Sequence, residues 1–381
     1  MSVAKRVIGQ RVDFLFSLLK NIKINLKRSQ NLPFDWNNIK NVCIYPLNNL
    51  GDFCMFLPHL HNFITLFLEK DVYIDLYISK VGYEILQNTN SDILDKSNIT
   101  IVNNEYIKNL KDLNILKLLL KKRNRPYDIL LAPHFSNDNT IIPILLFKFR
   151  YFFTYLPDGT VYQNIKKIEN SIQLNPNNVR ELFAYSYLFF KNLDGEININ
   201  IKDVDKYLEK MDSKFYMEGI ANEKRKFLTI YGRYFKRNGR CYPLSKYYEL
   251  INKIIQKEVF SVDNIIFLLG KADYDNLSKE ELKILNKIKK SGVKVIISDK
   301  IEYSIQILRN TKYFIGVDGG GLHLALISKV PKIISLFEKN VRPEYIIPKQ
   351  HCNSAIYHKN GVENIAPDRI FNYFLKLKEN K

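Results

Sequence analysis

From residue 42 onward, short apolar runs alternate with longer stretches of helical spacing, and the alternation stops and restarts near residue 226. The first series predicts strands over 42–46, 72–78, 98–102, 127–132 and 151–156, with helices over 52–68, 109–122 and 179–192. The second predicts strands over 226–231, 264–270, 293–297, 313–317 and 332–337, with helices over 244–255, 280–291, 302–308, 320–328 and 368–378. Alternation of strands with helices argues for parallel pairing, so each series implies a sheet covered by helices on both faces. At 381 residues the chain is long enough for two such domains. The boundaries read as an N-terminal extension over 1–40, a first domain over 41–193, a charged connection over 194–224, a second domain over 225–365, and a closing helix over 366–381. Sheets of this kind bind ligands beyond the carboxyl ends of their strands, so the turns there are the places to search.

The most distinctive of those turns is Gly316-Val317-Asp318-Gly319-Gly320-Gly321-Leu322-His323-Leu324-Ala325. A strand ends in a carboxylate, turns through three glycines and enters a helix. Glycines admit a ligand close to the backbone, and the first amides of the helix have no partner within it, so the turn suits an anion. Asp318 and His323 flank it. The first series has its own glycine-bearing turn, Pro46-Leu47-Asn48-Asn49-Leu50-Gly51-Asp52. Asp52 has two readings here: a plain charge at a helix N-terminus, or a general base for a hydroxyl. A third turn, Tyr231 to Arg240, carries Arg233, Lys236, Arg237 and Arg240; it is either a solvated loop or a grip on phosphate.

The formal net charge is +19, from 58 Lys and Arg against 39 Asp and Glu. That balance draws acidic small molecules, anionic membrane or nucleic acid without choosing among them. Residues 1–40 concentrate it: eight cations stand against Asp13 and Asp35, among apolar residues at helical intervals. Such a helix either lies on an anionic membrane surface or docks on the protein's own body. No apolar run approaches the length of a membrane span, and the N-terminus lacks a secretory pattern. Cys43, Cys54, Cys241 and Cys352 have no metal-type spacing, which points to reduced thiols in a cytosolic protein. There is no Gly-x-Ser-x-Gly elbow, no Walker A sequence, no Gly-x-Gly-x-x-Gly and no RNA-binding signature. His59 and His61, two apart, read as structural or surface histidines, and Asp273-Tyr274-Asp275 as an exposed loop.

Taken jointly, the two glycine-bearing turns resemble glycosyltransferase family 9, the lipopolysaccharide heptosyltransferases. Asn48-Asn49-Leu50-Gly51-Asp52 with Pro58 is similar to the family's Ser-x-x-Gly-Asp segment and its following proline, Asn48 standing for the serine. Asp318-Gly319-Gly320-Gly321-Leu322-His323, followed by Val330-Pro331, resembles the family's Asp-Thr-Gly-x-x-His, with Gly319 in place of the threonine. Arg240-Cys241-Tyr242-Pro243 is similar to a Lys-x-Trp-Pro element, and Asn178-Val179-Arg180-Glu181 to a helix near the domain junction.

The resemblance implies the α/β architecture called GT-B, two Rossmann-like parallel-sheet domains facing across a cleft, the first for acceptor and the second for donor. It implies a sugar transfer with inversion and without metal or other cofactor, from a nucleotide-sugar (ADP-heptose) to a lipid-linked glycan of the lipopolysaccharide core. Asp52 would be the catalytic base. Arg240, Asp318, Gly319, Gly320, Gly321 and His323 would hold the donor, and Asn49, Gly51, Arg233 and Lys236 would add phosphate or acceptor contacts. By its position just upstream of the glycine turn, and apart from the resemblance, Ile297 to Tyr303 is a candidate to contact the base of the nucleotide. The expected place is the cytoplasm, at the inner face of a bacterial inner membrane, with no specific nucleic-acid partner. Rival readings are a transferase or epimerase for another nucleotide-hexose, and an inactive nucleotide-sugar-binding relative.

Overall fold

The computed structural model describes residues 35–46, 50–89, 92–102, 126–132, 149–155, 161–163, 179–193, 199, 201–217, 225–232, 241–338 and 341–379. The predicted helix at 109–122 and nearly all of the basic N-terminal segment lie outside them. Contacts divide the chain into two compact units: Met1–Leu47 with Leu66–Ile78 and Ser97–Pro176, and Asn48–Thr65 with Ser79–Lys96 and Asn177–Lys381.

The first unit holds a six-stranded sheet: β1 (Asn41–Ile44), β2 (Tyr73–Ser79), β3 (Asn98–Val102), β4 (Tyr127–Ala132), β5 (Phe149–Tyr155) and β6 (Val161–Gln163), in the order β3-β2-β1-β4-β5-β6. β1 pairs in parallel with β2 and β4, and β4 with β5, whereas β6 closes the edge antiparallel to β5. Asp128 fixes the start of β1 by accepting the amides of Lys40 at 2.7 Å and Asn41 at 3.0 Å. The buried Asp75 of β2 accepts from the Tyr127 hydroxyl at 2.7 Å and from the Asn98 amide, so its desolvation is offset by hydrogen bonds.

The second sheet contains β7 (Phe227–Gly232), β8 (Ile265–Gly270), β9 (Lys294–Ser298), β10 (Thr311–Val317), β11 (Lys332–Glu338) and β12 (Ala355–His358). Its order is β12-β11-β10-β7-β8-β9, and all five pairings are parallel. Read from its far edge and counted from its own first strand, this is the same order, 3-2-1-4-5-6, as the first sheet. β8 is a continuous buried run, Ile265 to Leu269, as a strand covered on both faces requires. Each such Leu or Ile contributes about 1.5–3 kcal/mol relative to exposure. α1 (Leu50–Glu69) follows β1; α2 (Lys80–Thr89) and α3 (Asp92–Lys96) follow β2; and α4 (Val179–Lys191) and α5 (Ile201–Met211) precede β7. α6 (Leu244–Gln256) buries Leu244, Tyr247, Leu250, Ile251 and Ile254, the one-sided spacing of a helix on a sheet. α7 (Lys271–Asp275), α8 (Lys279–Lys290), α9 (Ile301–Arg309) and α10 (Gly320–Ile327) follow in turn. α8 starts on a reciprocal capping box between Ser278 and Glu281. α11 (Lys349–Cys352) and α12 (Pro367–Glu379) complete the chain.

Several features differ from the sequence reading, the helices α2, α3 and α11 among them. The stretch read as a charged connection holds α5 and a π-helical turn, Asp212–Met217. Val204 and Met211 are buried on α5, and charged residues fill its outer face, as in an amphipathic helix. Asp273 to Asp275 lie in α7, not a loop, with Lys271 paired to Asp275 one turn on. β6 and β12 are three and four residues long, too short to stand out from their polar surroundings.

Candidate functional site

In a sheet of order 3-2-1-4-5-6 the winding direction reverses between the first and fourth strands, and the turns leaving those strands border a crevice. In the second sheet these strands are β7 and β10, hydrogen-bonded neighbours. The turn after β10 is the Asp318 turn. The turn after β7 is the basic segment 233–240, so Arg233, Lys236, Arg237 and Arg240 lie outside the described residues, as does Asn49 in the turn after β1.

The Asp318 amide donates to the Leu336 carbonyl at 3.0 Å and carries the β10–β11 pairing one residue past the strand. Asp318 is buried, as is His323, whose Nε2 stands 3.9 Å from Asp318 Oδ1. Gly319 is the N-cap of α10 and supplies no side-chain cap; its carbonyl receives the His323 amide at 3.3 Å. The opening amides of α10 therefore carry the positive end of the helix dipole at a turn with no capping side chain. Two of the glycines are demanded by packing. A Cβ at Gly321 would stand 2.5 Å from Tyr231 Cδ1, and one at Gly320 would stand 2.5 Å from Leu50 Cδ2. Tyr231 ends β7, and Leu50 begins α1.

The second contact joins the two predicted motifs. Leu50, Gly51 and Asp52 form the first turn of α1, in the same compact unit as α10. A Cβ on Gly51 would lie 3.0 Å from His323 Cδ2 and 3.9 Å from the Gly320 nitrogen. The buried imidazole is thus the spacer between two helix starts, and any side chain at Gly51 would push against it. Asp52 is half-buried, and its position in the first turn complements the α1 dipole. Its charge reaches Cys54, whose thiol is raised well above its ordinary pKa by burial first and by Asp52 second. The next residue, Phe53, packs on α2, where a Cβ at Gly82 would meet its ring at 2.9 Å. Gly51, Asp318, Gly320, Gly321 and His323 are therefore brought together, with Asp52 next to Gly51 in the first turn of α1. Leu50 and Tyr231, which fix the spacing, carry no chemical signature that would single them out in a sequence.

Two buried groups brace the helices behind this turn. Arg180 of α4 pairs with Asp212 and donates to the Ile347 carbonyl at 2.8 Å. Burial raises the Asp212 pKa more than Arg180 lowers it, a pair kept for its geometry rather than its net energy. His59 is fully buried; burial, then the Arg180 charge, hold it far below the ordinary imidazole range, so it is neutral. Among the described residues no group of three or more His, Cys, Asp or Glu could hold a metal ion, and no helix is long and apolar enough to cross a membrane.

Residues 172–360 match the family model "Glycosyltransferase family 9 (heptosyltransferase)". Among solved structures, Escherichia coli heptosyltransferase WaaC with ADP is similar over 88% of this chain and 99% of its own, at 12% identity and a TM-score of 0.56. The family 9 glycosyl transferase of Veillonella parvula DSM 2008 covers 91% of this chain and 98% of its own, with the same identity and score. E. coli ADP-heptose lipopolysaccharide heptosyltransferase II is 14% identical, covering 89% of this chain and 98% of its own, with a TM-score of 0.51. A sequence search of curated proteins found no match. The two like-ordered sheets and these likenesses define the two-sheet α/β fold called GT-B.

Proposed function

We propose that the protein transfers heptose from ADP-heptose to a hydroxyl of a lipopolysaccharide or lipooligosaccharide core, with inversion at the anomeric carbon and Asp52 as general base. The observation that carries this reading is the meeting of the Gly51–Asp52 helix start with the Gly320–His323 turn. One of these junctions presents a carboxylate, and the other presents helix amides with no capping side chain. The donor identity is supported by relatives whose structures hold ADP or ADP-2-deoxy-2-fluoro heptose.

In the proposed step, the acceptor hydroxyl gives its proton to Asp52 as its oxygen bonds to the anomeric carbon. The bond from that carbon to the diphosphate oxygen breaks from the opposite face, and the diphosphate leaves with the electron pair. Negative charge grows on the diphosphate as the bond breaks. The amides of Gly320 and Gly321, fixed by the packing of Leu50 and Tyr231, stabilise it more in the transition state than before. Arg240, with Arg233 and Lys236, would add positive charge from the turn after β7. Asp318 would meet the transferred sugar or its phosphate, with His323 keeping the junctions apart. No step requires a metal ion. The basic residues 1–40 would hold the enzyme at the inner face of a bacterial inner membrane, where a lipid-linked acceptor lies.

The test supplies ADP-heptose and a heptose-free lipooligosaccharide acceptor to the full chain, then determines the anomeric configuration of the product by NMR. Transfer with inverted configuration is expected. Retained configuration, or transfer only from other nucleotide-sugars, would refute the proposal.

A further inference from the structure

Behind α10, at the end opposite the glycine turn, the second unit contains a pocket of about 400 Å³. Ile327 and Lys329 reach it, while Gly320 lies about 10 Å up the same helix at 1.5 Å per residue, so the pocket is separate from the Asp318 turn. Its charge is of one sign. Lys191 at the end of α4, Lys210 near the end of α5, Lys214 in the following π-helical turn and Lys329 line it, and among the described residues no carboxylate does. His61, also in the wall, is held below the ordinary imidazole range by burial first and by the Lys214 charge second.

Its polar and aromatic groups are also built for a ligand. The rings of Tyr187 and Tyr207 stack at 4.9 Å between centroids and 25° between planes, giving an aromatic wall. The Tyr207 hydroxyl accepts from the Asn62 amide at 2.8 Å and stands 3.1 Å from Nδ1 of the neutral, buried His59. Among the described residues, His59 Nε2 has no hydrogen-bond partner. A bare acceptor is easier to bury than a bare N–H, so the proton belongs on Nδ1, donating to Tyr207. The phenol then accepts twice and keeps its own O–H for a third partner. Ammonium groups bind phosphoryl oxygens, a phenol donates to them or to a sugar hydroxyl, and an aromatic wall takes the apolar face of a pyranose.

We propose that this pocket binds a phosphorylated sugar, at a site distinct from the donor turn and independent of the transfer reaction. The phosphoryl group belongs to a phosphorylated sugar rather than to free phosphate, and the probes separate these sources. Glucose 6-phosphate, inorganic phosphate and glucose are titrated calorimetrically into the full chain, into Lys210→Gln/Lys214→Gln, and into Asp318→Asn. Both lysines are exposed, so the double variant should fold normally. Saturable binding of glucose 6-phosphate is expected, tighter than phosphate and absent for glucose. Loss of two charge-assisted contacts should weaken it about tenfold or more. Asp318→Asn should leave it unchanged, and ADP should not displace it. No saturable binding, an unchanged Kd in the double variant, equal affinity for inorganic phosphate, or displacement by ADP would each overturn the proposal.

Discussion

After β1 the chain enters α1 through Leu50, Gly51 and Asp52; after β10 it enters α10 through Asp318 and three glycines. Both junctions leave strands at the reversal of like-ordered sheets. α1 places a half-buried carboxylate in its first turn, whereas α10 starts with no side-chain cap and buries Asp318 and His323 beneath it. The difference teaches a division of labour. A base must keep a side chain projecting from the helix start, and a diphosphate cradle must clear side chains away so that amides are the nearest groups. Leu50 and His323 carry the contact between them, one apolar side chain and one imidazole from opposite junctions.

The comparison breaks most readily at Asp52. Asp52→Asn should lower kcat by about 10²- to 10⁴-fold, the usual size of general-base catalysis, with donor affinity unchanged by calorimetry. A turnover near wild type would return Asp52 to the role of an N-terminal charge. A second perturbation acts on the frame of the glycine junction. His351, buried in α11, is pushed down to about 4 by burial, against 6.5 for an ordinary imidazole. The unfolded chain therefore takes up this proton first, so the contribution of neutral His351 is complete above pH 6.5 and lost as pH falls towards 4. The loss is about 3 kcal/mol, at 1.36 kcal/mol per unit. Urea midpoints at pH 7 and pH 4.5 check it, and His351→Gln should shrink the difference. His59, far below its ordinary value in α1, acts with the same sign.

Gly321→Val should force the Tyr231 ring aside at about 1–3 kcal/mol and weaken ADP binding, read by thermal unfolding and calorimetry. The smallest effect sharpens the contact itself. Gly320→Ala crowds Leu50, and Leu50→Ala makes room, so the double variant should recover about 1 kcal/mol of the loss seen in Gly320→Ala alone. Simple additivity would show that the two helix starts do not bear on each other.

Much of this was legible because its signals are local. Val317-Asp318-Gly319-Gly320-Gly321 declares a strand end and a close turn by composition alone, and the Ile265 to Leu269 run declares a buried strand. What was not legible depends on partners distant in sequence. Nothing around Leu50 announces that it meets Gly320, or around Tyr231 that its ring abuts Gly321, because strand pairing sets those distances. α5 was missed because its charged residues and the neighbouring Asp194-Gly195 read as a connection, although Ile201, Val204, Leu208 and Met211 fall at helical intervals. The lysines of the second pocket come from three separate segments, and only the fold collects them.

The most direct test measures kcat and donor Kd side by side for Asp52→Asn and Gly321→Val. The division of labour predicts a crossed result: Asp52→Asn loses turnover and keeps its Kd, while Gly321→Val loses affinity. Equal losses of both quantities in both variants would contradict it.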